Sequence, residues 1–332
     1  MKAVCIIVAV VAAVLGGCAP TPAKSPEGAT RIRFATDWTA EAELGGYYEA
    51  LADGEYVRRG LAVSIVPGGP GVNVPQLVAS GAVDMGVGSN SFVVMNLAAE
   101  HVPVKAVAAF MQKDPQVLIA HPDAAIASLA DLKGHPILLA DASISAFWPW
   151  LKAKYGLSDN QVRKYNFNNA PFLADKRVVE QGYVTSEPYT LETQGHIKPR
   201  VFLLADDGYP SYGGMVLAPD RLIASNPAAV RAFVDATAAG WKAYLWGDPR
   251  PADALILKDN REMTEDILAH ARATMRAYGI VDSGDATSLG LGAMTDVRWQ
   301  GFCAMAKAQR LYPAGVDCRA AYTLAFLPTM VK

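Results

Sequence analysis

Residues Gln76 to Ser91 read QLVASGAVDMGVGSNS, and this stretch decides the fold that the sequence predicts. Leu77 and Val78 are the last apolar residues of a predicted helix. Gly81 ends that helix, because glycine readily adopts the left-handed conformation found after a helix C-terminus. The apolar run 83–87 has the length of a buried strand. The polar residues 88–91 follow and can cap the next helix, which makes this junction a place to hold a small ligand.

A second stretch, residues 179–184, repeats the spacing of residues 78–83, with valine at both ends and glycine in the fourth position. The polar residues Thr185, Ser186 and Glu187 follow it, as residues 88–91 follow the first. The echo suggests two similar α/β lobes. Each lobe would present a polar strand end to one shared cleft.

The chain has 332 residues, which is enough for two α/β lobes with ample cores. It is 52% hydrophobic and 19% charged, an ordinary balance for a globular protein. The net charge of −2 gives no support for nucleic acid or an anionic membrane as a partner.

The N-terminus has the pattern of an exported protein. Lys2 precedes an apolar run at 4–15 that is too short for a comfortable membrane span, so residues 1–17 are predicted to be a signal peptide. The sequence Leu-Gly-Gly-Cys ending at Cys18 resembles a bacterial lipobox, in which the cysteine is acylated. Residues 18–30 would then tether a periplasmic or extracytoplasmic lipoprotein to a membrane. The alternative is an ordinary secretory peptide that is cleaved nearby.

Beyond the predicted signal peptide and the acylated Cys18, the cysteines of the chain are Cys303 and Cys318. In an oxidising compartment such an even pair favours a disulfide. Two buried thiols and a metal site are the alternatives. No histidine neighbours either cysteine at metal-ligand spacing, so a metal is disfavoured.

Periodicity along the chain predicts two α/β lobes with a helical C-terminal segment packed back on the first lobe. The first lobe is predicted to comprise residues 31–112 and 215–332, and the second lobe residues 113–214. Asn226 and Pro227 are predicted to begin the first long helix of the C-terminal segment.

These features together resemble a family of ABC-transporter substrate-binding proteins. Members of that family bind thiamine-pyrimidine precursors, nitrate, sulfonate or taurine. The resemblance runs through most of the mature chain, over residues 34–38, 46–48, 60–61, 77–86, 103–108, 129–134 and 321–328. It implies a two-lobed type II periplasmic-binding-protein fold that closes on a small molecule. It also implies no catalysis, no cofactor, and an ABC permease and ATPase as partners. We expect a monomer.

Carried over by position, the resemblance gives a set of ligand-binding candidates. Lobe 1 contributes Asp37, Trp38, Tyr47, Ser89 and Asn90; lobe 2 contributes Ser143, Ser145, Tyr183 and Glu187, with Tyr212 near the return crossing. Glu187 is predicted to end a strand before Pro188. Ser143 or Ser145 is predicted to cap the helix that follows those serines in the sequence. Four candidates also have a structural alternative: Trp38 could be plain core packing, Glu187 a surface or salt-bridged residue, and Ser89 and Ser143 only caps.

Charge favours one class of ligand. The predicted strand ends carry Asp37, Asp141 and Glu187, with no arginine or lysine in the same clusters. Carboxylates lining an oxyanion site would be costly, so we favour a neutral or cationic heteroaromatic such as a thiamine-type aminopyrimidine. A flavin is the next alternative, and a sulfonate or nitrate the third. A sensor lipoprotein with the same fold is a further possibility. No hydrolase, zinc-protease or phosphate-loop motif supports an enzyme.

Overall fold

A computed structural model describes residues 28–122 and 125–328, so the predicted signal peptide, Cys18 and most of the tether lie outside the described residues. The strands are β1 Thr30–Ala35, β2 Leu61–Val66, β3 Met85–Asn90, β4 Val104–Met111, β5 Gln116–Ala120, β6 Ile137–Leu139, β7 Val162–Lys164, β8 Val179–Tyr183, β9 Arg200–Leu203 and β10 Gly213–Pro219. The α-helices are α1 Gly45–Ala52, α2 Glu55–Arg58, α3 Val74–Ser80, α4 Ser91–Ala99, α5 Asp141–Ile144, α6 Phe147–Tyr155, α7 Ala170–Ala174, α8 Glu187–Thr193, α9 Asp220–Ser225, α10 Pro227–Trp246, α11 Arg250–Asp259, α12 Glu265–Tyr278, α13 Ala286–Leu289 and α14 Asp296–Ala308. Short 3₁₀ helices span Ala42–Leu44, Leu129–Leu132, Asp159–Gln161 and Cys318–Ala321.

The strands form two five-stranded sheets, and each sheet is the centre of one lobe. The first sheet has the order β2-β1-β3-β10-β4, and the second has the order β7-β6-β8-β5-β9. The predicted two-lobed α/β fold with a helical C-terminal segment is therefore confirmed.

The chain passes from the first sheet to the second after β4 and returns after β9. The strand that follows each passage enters its new sheet antiparallel to both neighbours: β5 lies between β8 and β9, and β10 lies between β3 and β4. The other pairings in both sheets are parallel, which places the carboxyl ends of β1, β3, β6 and β8 where ligands bind in open α/β sheets.

The stretch quoted above folds largely as its sequence predicts. Helix α3 ends at Ser80, and Gly81 follows with a φ of 80°, in the left-handed conformation that glycine adopts without strain. The strand, however, is β3, so it begins two residues later than predicted and runs through Ser89 to Asn90. Asn90 then caps α4 by accepting hydrogen bonds from the backbone N–H groups of Phe92 and Val93 at 3.1 and 3.4 Å.

Three local predictions were wrong. The echo is not a structural repeat, because Val78 lies in helix α3 whereas Val179 begins strand β8. Glu187 does not end a strand but is the first residue of helix α8. Neither Ser143 nor Ser145 caps α6: the preceding residue is Ala146, and the hydroxyl of Ser145 donates instead to the carbonyl of Ala142 at 3.1 Å.

The C-terminal helices pack on the first lobe, as predicted. Helix α10 begins at Pro227 with an Asn226 cap and lies against α1 with very close backbones. Gly240 of α10 meets the carbonyl of Gly46 and the backbone of Ala50, with no room for a side chain between them. This contact fixes α1, and therefore the loop that precedes it, against the rest of the lobe.

The predicted disulfide joins Cys303 of α14 to Cys318, with the two Cα atoms 6.2 Å apart. It ties the last long helix to the 3₁₀ turn that follows it. None of the helices in the described part of the chain is both long and apolar enough to cross a bilayer.

Candidate functional site

The strand ends of both lobes meet in one place, between the two sheets. On the first lobe, the hydroxyl of Ser89 donates to Oδ2 of Asp37 at 2.5 Å, joining the ends of β1 and β3. The hydroxyl of Thr185, after β8 on the second lobe, donates to Oε1 of Glu43, which precedes α1 on the first lobe. We call the space bounded by these residues the cleft.

Carboxyl groups dominate the cleft. Burial raises the pKa of the carboxyl groups of Asp37, Glu41, Glu43 and Glu187 above their ordinary values. After burial, the neighbouring carboxylates Glu43, Glu187 and Asp37 raise the pKa of Glu41 further, in that order. Four carboxyl groups from two lobes therefore share one low-dielectric region, where a donor-bearing or cationic ligand would relieve their repulsion.

Glu187 is held in a defined orientation. Its Oε2 accepts a hydrogen bond from the backbone N–H of Tyr183 at 2.7 Å and another from the hydroxyl of Ser186 at 2.6 Å. Gly182 makes this possible, because a Cβ there would lie 2.8 Å from a carboxylate oxygen of Glu187. Both of these donors reach Oε2, so Oε1 keeps its capacity to accept from a ligand.

Aromatic rings form another wall of the cleft. The ring of Trp38, on the first lobe, lies 4.5 Å from the ring of Phe167, on the second. Phe167 in turn contacts Tyr165, whose ring centroid is 5.2 Å away and whose hydroxyl donates to Asn169 at 3.0 Å. Flat apolar faces beside carboxylates suit a planar ligand with polar edges.

Glu180 lies in the second sheet behind this wall. It is fully buried in strand β8, and neither carboxylate oxygen has a hydrogen-bond partner among the described residues. Burial, with a smaller contribution from Glu187, raises the pKa of Glu180 to about 8. At neutral pH this carboxyl is therefore largely protonated.

The structure brings together five of the residues that the sequence singled out: Asp37, Trp38, Ser89, Tyr183 and Glu187. Tyr183 belongs with them because its backbone N–H donates to Oε2 of Glu187 at 2.7 Å. Burial, and then Asp114, Asp37, Glu41 and Glu43, raise the pKa of its hydroxyl well above the ordinary value.

The other candidates have different surroundings. Tyr47 is buried against Phe34 and Phe110, and its hydroxyl donates to the carbonyl of Gly214 at 3.2 Å. The ring of Tyr212 lies 3.9 Å from the guanidinium of Arg298, and its hydroxyl donates to Asp285, which turns it toward the C-terminal segment. Asn90 caps α4. Ser143 and Ser145 lie on and directly after α5.

Sequence reasoning missed Glu41, Glu43, Phe167 and Glu180. A signal existed for the first two, since Asp37, Glu41 and Glu43 follow the first strand within seven residues of one another. Glu180 stood inside residues 179–184, which were interpreted only as an echo of residues 78–83 and not as a buried strand. Nothing in the local sequence pattern distinguishes Phe167, because its partner Trp38 is distant in the chain.

Comparison with known proteins places the chain in a family. A family model described as NMT1/THI5 like matches residues 41–252, more than half of the chain. The riboflavin-binding protein RibY of Chloroflexus aurantiacus is 26% identical over 324 residues, which cover 93% of this chain and 90% of that protein.

Solved structures show the same fold at low identity. The periplasmic aliphatic sulphonate binding protein SsuA of Escherichia coli matches with a TM-score of 0.66 at 17% identity, covering 93% of this chain and 94% of that one. The desulfurization enzyme DSZB matches with a TM-score of 0.54 at 12% identity, covering 89% and 97%. At these identities the likeness concerns the fold alone.

The family model spans parts of both lobes, and the fold match to SsuA covers nearly the whole of both chains. The chain belongs to the NMT1/THI5-like family and has the two-lobed type II periplasmic-binding-protein fold.

Proposed function

We propose that this protein captures a planar heteroaromatic nutrient outside the cytoplasm and delivers it to the permease and ATPase of an ABC importer. The observation that carries the proposal is the cleft itself, where the buried Glu43 and the half-buried Asp37, Glu41 and Glu187 lie together with the rings of Trp38 and Phe167. A thiamine-type aminopyrimidine fits this chemistry well. Its amino group and protonated ring nitrogen offer two adjacent donors to a carboxylate such as Glu187, and its ring offers a face to Trp38.

A flavin is the second candidate, and a specific observation favours it. RibY, which is 26% identical over most of both chains, is named as a riboflavin-binding protein. A ring system could stack on the aromatic wall, while hydroxyl groups of the side chain donate to the carboxylates.

A sulfonate or nitrate is the least favoured ligand. An anion in this cleft would face Asp37, Glu41, Glu43 and Glu187. Burial or the neighbouring carboxylates already destabilise the ionised form of each of these groups. The likeness to SsuA concerns the fold and does not outweigh this repulsion.

The remaining features of the proposal follow from the sequence. The protein would be a monomer anchored by lipid at Cys18, with lobe 1 formed by residues 31–112 and 215–332 and lobe 2 by residues 113–214. The sheet membership of the strands supports these lobe limits. The family favours binding without turnover. It does not favour a non-transport sensor role. Since DSZB has this fold, assays of any bound compound should include a search for product.

A thermal-shift panel tests the ligand class directly. The mature protein without lipid would be mixed with an aminopyrimidine, thiamine, riboflavin, taurine, an alkanesulfonate and nitrate. A ligand present at about 100 times its Kd should raise the free energy of unfolding by about 2.7 kcal/mol. A shift with the pyrimidine or with riboflavin would support the proposal, whereas a shift with the anions alone would contradict it.

Glu187→Gln should weaken binding of the active compound by about 1.5–3 kcal/mol, because a hydrogen bond to a charged acceptor is lost while the side-chain shape is kept. Isothermal titration calorimetry would measure the change. Glu192→Gln is the matched control, since Glu192 is exposed on the same helix α8 and should leave affinity unaltered. Equal affinity in wild type and Glu187→Gln would remove Glu187 from the site.

A further inference from the structure

Phe167 combines three unusual properties. It is 44% exposed although it is a large apolar residue. Its φ is +57°, in the left-handed region that bulky side chains rarely occupy. Its ring lies 4.5 Å from that of Trp38, which belongs to the other lobe. A strained and exposed aromatic residue that reaches across a cleft needs an explanation beyond packing.

The two partners of this ring pair are held differently. The carbonyl of Trp38 accepts hydrogen bonds from the hydroxyl of Thr36 at 2.8 Å and from the backbone N–H of Gly68 at 3.1 Å, so its backbone is fixed to the first sheet. Phe167 lies between β7 and α7, in a loop braced by the bond from Tyr165 to Asn169. The pair therefore joins a residue whose backbone is fixed on the first lobe to a residue that a loop of the second lobe holds out toward it.

The position of the pair relates it to the ligand. Trp38 directly follows Asp37, one of the four carboxyl groups of the cleft, and Tyr165 behind Phe167 is only 4% exposed. Solvent reaches Phe167, so the ring pair stands at the outer edge of the carboxyl-lined region.

We propose that Phe167 contacts the ligand from the second lobe. Its ring closes over an aromatic ligand bound at Trp38 and retains that ligand in the cleft. This inference rests on the proposed function and names an additional determinant of the ligand class. A planar ligand would gain a ring contact from each lobe, whereas a non-aromatic ligand would gain little from Phe167. The backbone strain is retained because it aims the ring at Trp38.

Two substitutions separate the ring from the backbone. Phe167→Asn removes the ring, and asparagine tolerates a positive φ, so the loop should keep its path and the variant should be no less stable than wild type. Phe167→Tyr keeps the ring. Leu173→Asn is the matched control, because Leu173 is 43% exposed on the same lobe and is apolar.

Binding of riboflavin and of the aminopyrimidine would be measured by stopped-flow fluorescence. For whichever compound binds wild type, Phe167→Asn should lower affinity about tenfold, mainly through faster dissociation, while Phe167→Tyr and Leu173→Asn remain within about twofold. Affinity within twofold of wild type in Phe167→Asn would overturn the inference. So would an equal loss in Leu173→Asn.

If no compound of the panel binds, that result counts against the proposed function. The ring pair can still be tested then by a measurement without ligand. Acrylamide quenching of Trp38 emission, obtained by subtracting the signal of a Trp38→Phe protein, should increase in Phe167→Asn. Unchanged quenching would show that Phe167 does not cover Trp38 and would overturn the inference independently.

Discussion

Gly240→Ala is expected to lower the free energy of unfolding by about 3 kcal/mol, the upper end of the usual cost of overpacking. A Cβ at Gly240 would lie 2.7 Å from the backbone nitrogen of Ala50 and would overlap the carbonyl oxygen of Gly46. Both are backbone atoms of α1, so no side chain can rotate away and the two helices must separate. Urea denaturation followed by circular dichroism would measure the loss.

Gly301→Ala is the matched control, because it makes the same change inside another helix. Gly301 lies in α14, and nothing stands within 4 Å of the Cβ that it would acquire. Alanine in a helix interior is favoured over glycine by about 0.5–1 kcal/mol, so this variant should be slightly more stable than wild type. A similar effect of both substitutions, in either direction, would show that the close approach of α1 and α10 does not govern stability.

Glu180→Gln is expected to increase stability, and to do so more strongly as pH rises. The folded carboxyl has its pKa raised to about 8 by burial, against an ordinary value of 4.5, so between these values the folded state binds more protons than the unfolded state. The free energy of unfolding therefore falls as pH increases through this range. Glutamine has the shape of the protonated acid and does not ionise, so it avoids a cost that reaches about 3 kcal/mol near neutral pH.

Chemical denaturation of both proteins from pH 5 to pH 8.5 would measure this difference. The two proteins should be closest in stability near pH 5, since the unfolded state then gains least from ionising Glu180. Their stabilities should diverge steadily up to pH 8. Parallel profiles would mean that the carboxyl of Glu180 ionises at an ordinary pH in the folded protein.

The sequence predicted the architecture because that depends on order and periodicity. Gly81, for example, ends a helix for a reason that is local to the chain, and the order of strands and turns carried the family resemblance. The disulfide was predicted for a similar reason, since Cys303 and Cys318 were the pair left in the mature chain. Local spacing alone was misleading at residues 179–184, where the valine–glycine–valine spacing of residues 78–83 recurs in a strand instead of at a helix end.

The cleft was predicted only in part, because its contacts join distant residues. Asp37 and Glu187 were candidates because the family resemblance carried them over by position, although the strand that Glu187 was expected to end stops at Tyr183. The bond of Thr185 to Glu43 and the ring contact of Trp38 with Phe167 depend on how two lobes meet, and no period in the sequence encodes that. The left-handed conformation of Phe167 is also invisible to propensity, which would assign such a position to glycine or asparagine.

The placement of β10 between β3 and β4 has a consequence for the order in which the chain can fold as it is made. Strands β3 and β4 do not pair with each other, and the strand that joins them is the last of the ten in sequence. While the chain lengthens from its N-terminus, both strands carry unpaired edges until residue 219 has appeared. The second sheet draws its strands only from residues 116–203, so it can form earlier. The first sheet, whose synthesis begins first, is thus completed last, and its unpaired strand edges are open to non-native pairing during that interval.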